Sequence, residues 1–154
     1  MDALRAENER VNRLYSNSLG LLCLVLSGVF LFLAGHQAMY PYMTETHAFL
    51  SSSVPSSHII LLHFISSCGL LTAAGYVLRM GDVLFVISAT LSLLPAIYWS
   101  YVFSSFLSYP VHILWLPATN PTMAALTWYV KKGCEQLDAD VSELRSYMYP
   151  AKGV

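Results

Sequence analysis

Five histidines, His36, His47, His58, His63 and His112, are the residues of this chain best equipped for chemistry. An imidazole binds a metal through either ring nitrogen and changes charge near neutral pH. Two histidines on neighbouring helices can hold a haem as its axial ligands. His36 and His63 suit that role best. On antiparallel helices they fall within about one turn of the same depth, at roughly 1.5 Å of rise per residue. A b-type haem on His36 and His63 is therefore one expectation. The plainer one is that histidines gather at a membrane boundary because each carries a polar tip on an apolar body. The rest of the ligand inventory is thin. Glu45 is the only acidic residue between Arg13 and Asp82, so no Ser–His–acid set forms around any other carboxylate there. Cys23, Cys68 and Cys134 form no C-x-x-C pair, which removes the usual thiol-redox and zinc signatures. No catalytic residue and no metal site is indicated.

What must position these histidines is a set of charge-free tracts. No Lys, Arg, Asp or Glu occurs from Leu14 to Thr44, from Thr46 to Leu78, or from Val83 to Val130. Charged residues make up 11% of the chain, against about 25% in soluble domains. A helix in water needs a polar face, and these tracts lack one. Each is long enough for the roughly 20 apolar residues that cross a bilayer, and the third has room for two crossings. The expected fold class is all-α: an integral membrane four-helix bundle in one domain covering residues 1–154. The spans fall at about 19–40, 58–78, 83–107 and 111–130. Three acids in the first nine residues argue against a transit peptide, and no small-residue cleavage site closes the first apolar run. That run is read as a retained anchor.

Local signals refine the plan. Residues 2–16 suit a short amphipathic helix leading into the membrane. Ser56 or Ser57 is a candidate cap for the second span. In "RMGD" (79–82), Arg79 complements a helix C-terminus, Gly81 can close the helix in a left-handed conformation, and Asp82 can cap the next. Spans two and three should thus form a hairpin. Pro95 should kink span three, with Thr90 or Ser92 as partners for the carbonyl it frees. The fourth span contains "PATNP" (117–121), which predicts a break tolerated only against protein or trapped water. A re-entrant segment is the competing reading. Gly28 and Gly35 on span one, with Cys68, Gly69, Ala73, Ala74 and Gly75 on span two, allow close helix approach, either to each other or to another subunit. Tyr98, Trp99, Tyr101, Tyr109 and Trp115 on one side, and Trp128 and Tyr129 on the other, fit interfacial anchoring.

Charge asymmetry orients the chain. With four crossings, all eight basic residues lie on one side, the cytosolic or matrix side. With three, the basic tail falls on the wrong side. Both termini are therefore expected on the positive side of an organelle membrane, mitochondrial inner or endoplasmic reticulum. After Lys132, residues 134–148 read as an amphipathic tail with Leu137, Val141, Leu144 and Met148 on one face. These four are candidate partner contacts, and folding back onto the chain's own loops is the alternative.

The function classes narrow by exclusion. A net charge of −1 gives nucleic acid no electrostatic footprint. Pumps and carriers place ionisable groups inside the bilayer, and only histidines near one edge approach that here. The expected function is a small non-catalytic accessory or assembly subunit of a larger membrane complex, in contact with other subunits and with bound lipid. The alternative is a small lipid-, quinone- or haem-binding membrane protein or enzyme using the outer-side histidines, His58 and His112 included.

Overall fold

The computed structural model describes residues 2–106 and 111–148. Leu107, at the end of the third expected span, Tyr109, and Lys152, one of the eight basic residues, lie outside them, as do the side chains of His112, Arg145 and Met148. The described residues form an all-helical structure without strands: α1 (Asp2–Met39), a single turn α2 (Glu45–Ala48), α3 (Ser56–Val77), α4 (Val83–Ser104), a 3-10 turn (Val111–Ile113) and α5 (Trp115–Met148). Among the described residues, three helices are long and apolar enough to cross a membrane: Ala3–Met39, Ser56–Val77 and Val83–Ser104.

Helix α3 is the centre, packing against α1, α4 and α5, while α1 and α4 also touch α5. In its most apolar window 61% of α3 is buried, against 22% for α4 of the same length. Small residues explain the difference. Gly69 approaches Leu91 and Ser92 of α4, and a Cβ at Gly75 would stand 2.8 Å from Leu84. Against α1, Ser27 Oγ sits 2.7 Å from Ser67 Oγ and donates to the Ser67 carbonyl at 3.2 Å. Gly28 and Gly35 do not serve this contact. Both are exposed, with nothing within 4 Å of where a Cβ would stand.

Both terminal helices are longer than expected. The amphipathic start and the first span are one helix, α1. The amphipathic tail and the fourth segment are likewise one helix, and the break expected at "PATNP" is absent. Pro117 falls in the first turn of α5, where the N–H groups have no intrahelical acceptor to lose. Thr119 Oγ1 donates to the Trp115 carbonyl at 2.7 Å. Only Pro121 removes an interior hydrogen bond, and one such loss does not outweigh the packing of a 34-residue helix. Helix α4 likewise runs on through Pro95, and Thr90 donates to Val86 O at 2.8 Å, its own preceding turn.

The 78–82 turn is a hairpin, but different residues close it. Arg79, with φ 63°, takes the left-handed position; no glycine does. Met80 N–H reaches Gly75 O and Arg79 N–H reaches Tyr76 O, both at 3.0 Å, the two bonds of a Schellman closure. Asp82 makes no side-chain cap. Its carboxylate accepts from Lys131 on α5. Pro55, not a serine, precedes α3, and Ser56 is engaged elsewhere. Trp99, expected at an interface, is a core residue stacked on Phe103, with ring centroids 5.9 Å apart.

Candidate functional site

Two polar networks lie at opposite ends of the helices. The outer one starts on Gln37, on the buried face of α1 within its last turn. The loop over residues 41–55 folds back across this end, held by buried Leu50 and Val54 and by Tyr42 Oη donating to Val54 O at 2.7 Å. Helix α2 within it, started by Thr44, carries His47 into the interior. Gln37 Oε1 receives the Tyr42 backbone N–H at 3.1 Å, and Gln37 Nε2 donates to Ser56 Oγ at 3.0 Å. Those two bonds fix which way the amide faces.

The remaining proton positions follow in sequence. His47 Nδ1, 2.7 Å from Gln37 Oε1, must carry a proton and donate it. Its Nε2 is then a bare acceptor. His63 Nε2, 2.8 Å away, must donate to it. This leaves His63 Nδ1 as a lone pair that is buried without a partner. Both rings are neutral in this arrangement. Burial, and after it the neighbouring His36, push the His47 imidazole down from an ordinary 6.5 to about 4. The relay is closed: His47 and His63 are 1% and 0% exposed.

The histidine pair that forms is thus 47–63. Among the described contacts, His36 does not meet His63. It lies between the Phe32 and Tyr40 rings, at centroid distances of 6.0 and 5.5 Å, with Nδ1 buried and unpartnered. His58 pairs with Tyr98 Oη at 2.9 Å. Among the described residues no group of three or more His, Cys, Asp or Glu is placed to hold a metal.

The inner network joins the two terminal helices where they run antiparallel past the ends of α3 and α4. Asp138 Oδ1 accepts from Asn8 and Asn12, both at 2.9 Å, and Arg79 Nη2 reaches Asp138 Oδ2 at 3.4 Å. Asn12 also donates to the Cys134 carbonyl at 3.4 Å. Two turns earlier on α5, Lys131 is buried against Tyr76, its Nζ 4.1 Å from the ring centroid, and its partner Asp82 is exposed. The hydrogen bond from Lys131 holds the Asp82 carboxyl below its usual range.

Inside the chain, α5 packs along a different line from the four partner-contact candidates. Leu116, Asn120, Met123, Thr127, Lys131 and Cys134 are buried, and Asp138 continues the line. Leu137 and Leu144 point away, 48% and 52% exposed, and Val141 is intermediate. Gln37, Asn8, Asn12, Asn120 and Asp138 were missed in the sequence. On α5 the signal is a mixed line, Leu116, Asn120, Met123, Thr127, Lys131 and Cys134, at spacings of three and four; on α1 it is only the four-residue step from Asn8 to Asn12. Asn120, with both amide atoms buried and unpartnered, is the most costly of these placements.

The chain matches no protein-family model, no curated protein and no solved structure.

Proposed function

We propose that this chain is a small accessory or assembly subunit of a larger membrane complex, crossing the bilayer four times with both ends on the side that carries the basic residues. Helix α5 supplies the fourth crossing up to about Val130. Beyond the bilayer, the first part of α1 and the last part of α5 continue as a paired stalk. At about 1.5 Å per residue, Leu4 and Leu144 both lie roughly 20 Å past the ends of their spans.

One observation carries this reading: the stalk is inside out. Its seam holds Asn8, Asn12 and Asp138, while Leu4, Leu137 and Leu144 are exposed. Two helices pairing for their own sake in water would bury the leucines and expose the amides. A protein surface over those leucines resolves the inversion. The open Gly28 and Gly35 on α1 agree with a neighbouring helix inside the bilayer.

The test is site-specific photo-crosslinking in the native membrane. A crosslinker at Leu137 or Leu144 is expected to capture one discrete larger partner, and one at exposed Ser142 much less. Equal, diffuse labelling from all three positions would remove the stalk as a docking element. A chain that purifies alone, monodisperse and with a retained chromophore, would instead favour a haem- or quinone-binding protein.

A further inference from the structure

Between the stalk and the end of α3 lies an open cleft of about 630 Å³. Its far end is self-compensated. Arg5 pairs with Glu9 at 3.0 Å, and Asp138 is held by two asparagine amides and Arg79. The membrane end is different. Arg13, Ser16 and Asn17 line it from one face of α1, at spacings of three and four residues, and Arg79 faces them from beyond α3. Among the described residues Arg13 has no carboxylate partner, its Nε reaching only the Glu9 carbonyl at 3.2 Å. Neither Ser16 nor Asn17 makes a side-chain hydrogen bond there. The wall beside them is Val77 and Leu78.

This is a donor-rich set with an apolar flank. Its depth is set by the four-crossing topology proposed above, on which the inference rests. Ser16 and Asn17 lie within about 3–5 Å of rise of Leu19, where the first span begins. The headgroup layer is about 5–7 Å thick on each side. Lipid phosphates sit at that level, and arginine matches phosphate geometry through paired N–H donors. We propose that the membrane end of this cleft binds the phosphate of an acidic phospholipid through Arg13, Ser16, Asn17 and Arg79, with the glycerol ester against the exposed Leu78. The Arg79–Asp138 bridge, half exposed at 3.4 Å, is weak enough to yield Arg79 to the ligand. Asp138 keeps its two amide donors when that happens.

The full chain in neutral detergent, free of other subunits, is titrated with phosphatidic acid, phosphatidylcholine and inorganic phosphate and read by native mass spectrometry. One phosphatidic acid is expected to be retained. Arg13→Gln should weaken it about tenfold, as loss of a charge-assisted hydrogen bond does, and Arg10→Gln, outside the cleft, should not. Should Arg13→Gln lose helicity, Asn17→Leu removes a donor and fills the same space, with the same weakening expected. Equal retention of phosphatidylcholine would overturn the proposal, as would equal losses in the Arg10 and Arg13 variants. Displacement by inorganic phosphate at matching concentration would make the site one for free phosphate and overturn the lipid assignment. Failure of the stalk crosslinking would leave this readout untouched, because no partner is present.

Discussion

The two ends of this molecule solve the problem of polar groups beside a membrane in opposite ways. At the outer end Gln37, His47 and His63 are sealed under a loop, neutral, each bond dictating the next. At the inner end Asn8, Asn12, Asp138 and Arg79 form a charged clasp beside an open cleft. A sealed neutral network contributes rigidity and offers nothing to a partner. An open charged one contributes little stability and leaves donors free. The outer end holds the loop, and the inner end leaves leucines and hydrogen-bond donors exposed.

Gln37→Leu should break that contrast most severely. It strips the acceptor from the Tyr42 N–H and the His47 Nδ1–H together, for a loss of about 2–4 kcal/mol in unfolding measured in detergent. Lowering the pH attacks the same end more gently. Because the folded protein holds the His47 imidazole near 4 and the unfolded chain near 6.5, the unfolded state binds the extra proton first. Stability from this group is complete above pH 6.5 and is lost as pH falls towards 4. A His47→Phe variant should show a flatter midpoint-versus-pH curve across that window. Asp138→Ala acts at the other end. It frees the asparagine amides to partly exposed surroundings and should cost about 1 kcal/mol, seen as faster hydrogen exchange in residues 2–12 and 134–148 with the membrane core unchanged. Smallest of all, Leu137→Gln with Leu144→Gln should move unfolding by less than about 0.5 kcal/mol. If the stalk docks a partner, the same pair should abolish the crosslink.

The sequence announced these regions unequally. The apolar helices were legible because excluding charge from a span leaves a plain record, as in Leu14 to Thr44. The hairpin at residues 78–82 was legible as a turn but not in detail: Gly81 is the residue best suited to the left-handed position, yet Arg79 takes it. The continuity of α5 was not legible, since Pro117 and Pro121 look equivalent as letters and differ only in how many residues precede them in the helix. The histidines were visible as candidates, yet their pairing depends on a loop closing over α1, a long-range event that no spacing encodes. Likewise α3 and α4 are almost equally apolar, with hydropathy 1.7 and 1.8, so only the small-residue seam of α3 could mark it as the centre.

The claim on which the rest stands is that α1 and α5 leave the bilayer together on one side. With Cys23, Cys68 and Cys134 replaced by alanine, single cysteines at Leu4 and Leu144 can be probed in sealed, oriented vesicles with a membrane-impermeant maleimide. Four crossings and a paired stalk predict that both positions react from the same side. Labelling of Leu4→Cys from one side and Leu144→Cys from the other would contradict the stalk, the fourth crossing and the docking surface together.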